Sequence, residues 1–390
     1  MKISGPRSNS LRAGGEQPRL QIFVHDLGAT GVVRNAIGIA NAAAEDGFDV
    51  RLLTSVAEGP LRHEVDRRVE VVPLVSPEVA AMPRTQQLRR SLVAYRQQTR
   101  AWRPHILFSA GNHGHLLSTL AWAGLPGAKI LRISNELERS ATRLSPARRL
   151  ARSAKFRMMT SLADRLVLVA HALEERPVLR RMARRGRTVV IPNGVDVERI
   201  RAAAAESCPH PWLANKDIPV ILAVGRHAPQ KNFGTLLKAF ALARQRRPMR
   251  LLFVGQGKAA ATAELQAAAR SLGVEKDVGF EPPTANPFSY MRAADLVALP
   301  SLWEGSANVL LEALACGTPV IASRTAGDAA LVLDEGRYGL VINPDDAAEM
   351  AEAILRQLSA DRVSPGERAQ SLSRKASLER YMALFRGCLR

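Results

Sequence analysis

A chain of 390 residues, 46% hydrophobic and 23% charged, has an ordinary globular composition and room for two hydrophobic cores. Three widely spaced cysteines, Cys208, Cys316 and Cys388, form no CxxC pair, which argues against disulfides and structural zinc and for a reducing compartment. Net charge is +19 and lopsided: residues 1–200 hold 32 Lys and Arg against 17 Asp and Glu, residues 201–390 hold 23 against 19.

Residues 1–18 contain Ser, Gly and Arg without an apolar run, so they read as a flexible leader and not as a signal peptide. No apolar stretch approaches the ~20 residues that cross a bilayer, and a cytoplasmic location is expected. LQIFVHD (20–26) predicts a strand, followed by a Gly-containing loop, a helix over about 32–46 and a second strand, DVRLLTS (49–55): one βαβ unit. Further strands are expected at 69–74, 105–111, 128–134, 165–170 and 188–193. Pro192-Asn193-Gly194 then forces a turn, and an Ala-rich helix over 199–206 leads onward. The series restarts with VILAVG (220–225), RLLFVG (250–255), VGFEPP (278–283), LVALPS (296–301), TPVIAS (318–323) and GLVINP (339–344), separated by helices such as 234–246 and 258–272. Alternating β and α implies parallel sheets flanked by helices, twice over.

The positive charge concentrates in Arg clusters over 84–103, 143–157 and 180–187. Such an asymmetry points to an anionic partner of the N-terminal half, and a membrane surface fits better than nucleic acid, because aromatics are only 5% and no nucleic-acid motif interleaves them. Asp345-Asp346 reads as a helix cap, so no metal is expected.

Two motifs carry chemistry. In residues 296–323 Glu304 and Glu312 lie eight apart across a loop-to-helix junction, where free backbone N–H groups gather and anions bind. With a helix starting near Ala307, Glu312 sits ~7–8 Å further along it. Phosphates at the helix start would then leave Glu312 to reach a ribose; the plainer alternative makes Glu304 a cap and Glu312 a solvated charge. Arg226 and Lys231 follow the strand VILAVG, project into the crevice at its carboxyl end, and suit a nucleotide diphosphate as a forked guanidinium plus an ammonium.

SLWEGSANVLLEALACGTPVIAS (301–323) resembles the E-x7-E signature of the retaining glycosyltransferases grouped as family 4 (glycosyl transferases group 1). VILAVGRHAPQKNFGTLLKAFA (220–241) resembles the same family's GR-x4-K-N element, and VVIPNGVDVERI (189–200) its interdomain segment. The resemblance implies a GT-B fold: an acceptor-binding Rossmann-like domain over 19–196, a nucleotide-sugar-binding one over 197–373, and a last helix, 374–390, crossing back onto the first. It assigns Glu304, Arg226 and Lys231 to the reacting centre, with Glu304 on the donor sugar and Glu312 on the ribose. Backbone N–H groups around Gly305, Ser306, Ala307, Asn308 and Val309 would meet phosphate and sugar oxygens, Ser306 and Ala307 leaving a wider pocket than bulkier residues. The base is expected near Val278–Glu281, at Phe280. Gly28, Thr30 and Gly31 would close over the donor, with Arg34 on the same loop or its helix.

Family members often carry a His where Ser134 stands here, beside Asn135, and His113 or His115 are expected as substitutes from the neighbouring loop. The implied activity is transfer of a sugar, with retention and without a metal or other cofactor, from a nucleotide-diphosphate sugar to a lipid-linked or glycan acceptor. Surface polysaccharide or lipopolysaccharide synthesis on the inner face of the plasma membrane is the expected setting. Alternatives are a nucleotide-sugar epimerase on the same scaffold and a non-catalytic anion-binding assembly subunit.

Overall fold

The computed structural model describes residues 16–134, 145–360 and 366–389; the first fifteen residues of the expected leader, and Asn135, lie outside them. The apolar runs form two all-parallel sheets. The first takes β1 (Arg19–Val24), β2 (Asp49–Thr54), β3 (Val69–Pro73), β4 (Ile106–Ser109), β5 (Ala128–Ile133), β6 (Arg165–Leu168) and β7 (Thr188–Val190) in the order β3-β2-β1-β4-β5-β6-β7. The second takes β8 (Val220–Val224), β9 (Arg250–Val254), β10 (Val278–Glu281), β11 (Leu296–Leu299), β12 (Val320–Ser323) and β13 (Gly339–Ile342) in the order β10-β9-β8-β11-β12-β13.

Every residue of β4 and β11 is buried, as continuous apolar strands require when helices cover both faces. In the second sheet the helices 233–246 and 347–359 pack Leu236, Phe240 and Ile354 on one face. The helices 197–204, 287–293 and 308–316 pack Ile200, Met291 and Leu311 on the other. Helix bounds fall within two residues of those read from the sequence. β7 stops three residues short of the expected strand, because Pro192 has no N–H to continue the ladder.

Each sheet reverses its strand order once, between β1 and β4 and between β8 and β11. Open α/β sheets bind ligands outside the carboxyl ends of strands at such reversals. The loops there carry Gly28, Thr30 and Gly31 (after β1), His113 (after β4), Arg226 and Lys231 (after β8), and Glu304 (after β11).

The C-terminal helix, Arg374–Gly387, returns to the first sheet, where Tyr381, Met382 and Phe385 join a core with Ile22 and Phe108. Its entry is fixed by backbone: Val195 N–H donates to Leu372 O at 3.2 Å and Arg374 N–H to Val195 O at 2.8 Å. A Cβ on Gly194 would lie 2.3 Å from Ser373 O, so the crossing requires glycine.

Arg132 on β5 is a cation with its side chain wholly inside the protein. Its guanidinium donates to Tyr381 Oη at 3.0 Å, Ala110 O at 3.2 Å and Asn193 Oδ1 at 2.5 Å. Asn193 in turn donates to Asn308 Oδ1 at 3.0 Å. One side-chain chain therefore joins the first sheet, the returning helix, the connecting turn and the start of the 308–316 helix.

Candidate active site

The loops after β8 and β9 pack backbone on backbone: a Cβ on Gly255 would lie 2.0 Å from Gly225 O, and both glycines have φ near +150° (149° and 145°). Lys231 ends a short 3-10 turn, and Asn232 follows it in the left-handed region at φ 55°. Asn232 Nδ2 donates to Pro344 O at 2.7 Å, and its Oδ1 accepts from Thr235 Oγ1 at 2.8 Å, which pins the turn. Lys231 Nζ thereby meets Glu304 Oε1 at 2.8 Å, with side chains 15% and 12% exposed. Ser301 Oγ donates to the same oxygen at 2.9 Å, and Gln230 Nε2 to Oε2 at 3.2 Å. Glu304 is thus held by three donors and does not cap the helix.

The 308–316 helix begins after Ala307, whose side chain supplies no capping bond. The helices at 31–45, 197–204, 287–293, 347–359 and 374–387 are capped by Thr30, Asp196, Asn286, Asp346 and Ser373, while those at 84–102, 146–162, 233–246 and 259–271, like this one, have no side-chain cap. An uncapped helix start leaves N–H groups and the positive end of the helix dipole available to an anion. Gly305 and Ser306 lead into it, Ser306 Oγ lying 3.5 Å from Asn308 Oδ1, while Val309 packs against the core. The opposite wall comes close: a Cβ on Gly31 would be 3.3 Å from Asn308 Nδ2.

Two cavities lie between the walls. A cleft of about 950 Å³ has Gly28, Thr30, Gly31 and His113 on one side and Arg226 on the other. A second, of about 310 Å³, is lined by Glu312 and Asn308 together with Thr30, Gly31 and Arg34. Away from the cleft, Asp328 accepts the N–H groups of His171 and Ala172 at 2.7 and 2.8 Å, clasping one sheet's loops to the other's.

The residues named from sequence are therefore gathered unevenly. Glu304 and Lys231 are in contact, Arg226 faces Gly28, Thr30, Gly31 and His113, and Glu312 shares a cavity with Asn308. Thr30 spends its hydroxyl on its own helix, accepting from Val33 N–H at 3.3 Å. Phe280 lines neither cavity; it stacks on Phe253 at 5.3 Å and meets His227 edge-on. His115 is a core residue, bonded to Ser109 Oγ and Arg132 O, and burial holds its imidazole down to about 3; it is no substitute for the His absent at 134. Asn135 lies outside the described residues. Asp346 caps a helix by accepting from Ala348 and Glu349 N–H, both at 2.9 Å. Ser301, Gln230 and Trp303 were not singled out by the motif reading; Gln230 reaches Glu304 only because a fold brings residues 74 apart together.

Burial pushes the Glu312 carboxyl up, with Lys231 and Arg34 pulling it back. Between the usual carboxylate value and that raised one, the folded state binds more protons, so stability falls as pH rises through the window and stays lower above it. Glu312→Gln is expected to raise the melting temperature at neutral pH and flatten that slope in thermal melts taken from acid to neutral pH. An unchanged slope would contradict the burial penalty.

Family models match most of the chain: Glycosyltransferase Family 4 over residues 29–199 and Glycosyl transferases group 1 over 218–360. The chain is 28% identical over 366 residues to a D-inositol 3-phosphate glycosyltransferase of Arthrobacter sp., covering 88% of this chain and 84% of that one. It is also 28% identical over 194 residues to a Campylobacter jejuni N-acetylgalactosamine-N,N'-diacetylbacillosaminyl-diphospho-undecaprenol 4-alpha-N-acetylgalactosaminyltransferase, covering 49% of this chain and 50% of that one. The chain spans about half the length of the first curated relatives it matches. Its fold is that of Anabaena HepE, solved in complex with UDP-glucose, at a TM-score of 0.74 and 18% identity, over 95% of this chain and 99% of that one. With two Rossmann-like parallel sheets facing a cleft and both family models matched in order, the chain belongs to the retaining glycosyltransferases of family 4 (glycosyl transferases group 1), of GT-B fold.

Proposed function

We propose that the protein moves a sugar from a nucleoside-diphosphate sugar to a lipid-linked or glycan acceptor, with retention, in building a bacterial surface polysaccharide or lipopolysaccharide. The observation that carries this reading is the Lys231–Glu304 pair beside an uncapped helix start, at the strand-order reversal of the second sheet and bonded through Gln230 to the wall of the cleft that Arg226 and Gln230 line. The diphosphate sits against Arg226, Lys231 and the N–H groups at the start of the 308–316 helix that are not already bonded, Asn308 N–H being held by Ser306 O at 3.0 Å. As the bond from anomeric carbon to phosphate oxygen breaks, these groups take up the charge on the leaving phosphate. The acceptor oxygen bonds to the same face of the sugar, and its proton passes to the departing phosphate oxygen. The cations and the helix start meet the charge that a metal ion meets elsewhere, so chelator should leave turnover intact. Glu312 holds the ribose, and Glu312→Gln should weaken nucleoside-diphosphate binding about 10–100-fold, the scale of hydrogen bonds to a charged group. A UDP-glucose complex of one structural neighbour and the diphospho-undecaprenol in one relative's name support these substrate classes.

The test is release of nucleoside diphosphate across a panel of nucleotide sugars, with lipid-linked and free-sugar acceptors, in buffer containing EDTA. Acceptor-dependent release from one donor is expected. Release from none, with no thermal shift by any nucleoside diphosphate, would contradict the reading; interconversion of the sugar without an acceptor would favour an epimerase.

We further propose that the first sheet's side rests on the anionic inner face of the plasma membrane. No helix of the described residues is long and apolar enough to cross a membrane. The helix Pro146–Leu162 exposes Leu150 (72%), Met158 (41%) and Leu162 (52%) beside Arg148, Lys155 and Arg157. Apolar side chains among cations suit an anionic headgroup layer, where each cation contributes about 1 kcal/mol. Flotation with phosphatidylglycerol vesicles should recover the protein, and reversing Arg148, Lys155 and Arg157 to Glu should abolish recovery. Equal binding to neutral phosphatidylcholine would remove the claim.

A further inference from the structure

The first sheet's wall of the cleft carries cations that the donor leaves unused. Arg84 opens the helix Arg84–Trp102 and Arg152 lies within the helix Pro146–Leu162, and both line the 950 Å³ cleft. Among the described residues that line it, Asp26 is the one carboxylate against three arginines, the third being Arg226 on the opposite wall. Asp26 is itself already met. His25 Nδ1 lies 2.6 Å from its Oδ2, and Gly28 N–H donates to its Oδ1 at 3.0 Å. Arg84 Nη2 stands 3.6 Å from the same Oδ2, an ion pair just beyond hydrogen-bond range, with the Arg84 side chain 47% exposed. The five N–H donors of that guanidinium are therefore not spent on Asp26.

Two neighbours register the positive field on this wall. The hydrogen bond from His25, ahead of Gly28 N–H and of the charges of His25 and Arg84, holds the Asp26 carboxyl down at about 2 against the pull of burial. Burial first, then the charges of Arg84 and His25, hold the His113 imidazole below its ordinary value. The helix Arg84–Trp102 has no side-chain cap, so the positive end of its dipole adds to Arg84 at the same place. The proposed diphosphate has its own cations across the cleft, Arg226 and Lys231, with the start of the 308–316 helix. At about 950 Å³ the cleft stands at the upper end of small-molecule sites, with room for a donor sugar and a second substrate together.

We propose that Arg84 and Arg152 form an anion subsite for the acceptor, which brings a phosphate group into the cleft along with the hydroxyl that is glycosylated. The proposal rests on the glycosyltransferase reading above and narrows it: the acceptor is a phosphate-bearing sugar or cyclitol, or a lipid diphosphate, and a neutral glycan is a poor substitute. Guanidinium forks suit phosphate oxygens, and their charge is permanent at any working pH. No bond to the acceptor's phosphate forms or breaks. Its anion and the leaving diphosphate rest on separate cations, one set on each wall.

Thermal shift and titration calorimetry on protein saturated with UDP, which fills the donor's own phosphate site, test this at constant ionic strength. The probes are glucose 6-phosphate and farnesyl diphosphate, each set against its phosphate-free counterpart, glucose or farnesol. A phosphate-bearing probe should bind and its counterpart should not. Arg84→Gln and Arg152→Gln should each weaken that binding about 10–100-fold, the scale of hydrogen bonds to a charged group. A response to glucose 6-phosphate points to a soluble sugar phosphate as the source, and a response to farnesyl diphosphate alone to a lipid carrier; either supports the subsite. In turnover, the KM of a phosphate-bearing acceptor should rise by the same factor in each variant, with the donor KM unchanged. Binding of neither probe, or binding that survives both substitutions, would overturn the proposal. So would a rise in donor KM alone, which would hand both arginines to the donor. If one variant fails to fold, the other reads the same loss. Failure of the wild type to use any nucleotide sugar would instead strike the broader functional reading, and the probe titrations would still decide this one.

Discussion

Lys231→Ala is expected to lower kcat/KM by about 10²–10³-fold, the loss typical of one preorganised donor at a developing negative charge. The same substitution takes the cation from Glu304, an ion pair whose side chains are 15% and 12% exposed. Ser301 and Gln230 still donate to that carboxylate, so the stability loss should be about 1–3 kcal/mol, below the 3–5 kcal/mol of a pair stripped of all support. Adding Glu304→Gln should restore most of that stability, because no unpaired charge remains, and none of the turnover. Initial rates and urea midpoints on the single and double variants separate the two effects. Turnover within a few-fold of wild type in Lys231→Ala would remove Lys231 from the reacting centre.

Arg132→Ala should damage the fold severely. It deletes a fully buried side chain and strands Asn193 Oδ1, Ala110 O and Tyr381 Oη, three acceptors that water does not reach easily. Cavity and unpaired-polar terms together give about 3–5 kcal/mol. Arg132→Lys keeps the charge but not the fork that reaches three acceptors at once, so it should recover only part of the loss. Because Asn193 also holds Asn308, nucleoside-diphosphate affinity should fall with stability in both variants. Urea denaturation and calorimetric titration with UDP read the two quantities. A stable Arg132→Ala with unaltered UDP affinity would show that the relay is decorative.

The placement of the proposed donor groups on strand-end loops was readable from sequence because each group is local. Arg226 and Lys231 sit in one strand-end loop, and Glu304 to Glu312 in one loop-to-helix junction, so spacing alone places them at carboxyl ends of strands. The pairing of Lys231 with Glu304 was not readable, since 73 residues separate them and only the β8–β11 adjacency joins the loops. The opposite wall of the cleft was harder still. His113 and His115 look equivalent in NHGH, yet one lines the cleft and the other is locked in the core by Ser109 and Arg132 O. The resemblance also puts the base near Phe280, a partly buried ring that stacks on Phe253 and lines neither cavity. An Arg inside the apolar run AKILRIS has to be either at a sheet edge or paired, and Arg132 is the second.

The central claim is that the second sheet's strand-end loops clamp a sugar-bearing diphosphate between Arg226, Lys231 and the start of the 308–316 helix. A crystal structure of the protein with UDP tests it most directly. The account predicts the β-phosphate within hydrogen-bond reach of both cations and of the 306–309 backbone, with the ribose on Glu312. A diphosphate seated elsewhere, with Arg226 and Lys231 turned away from it, would contradict the account.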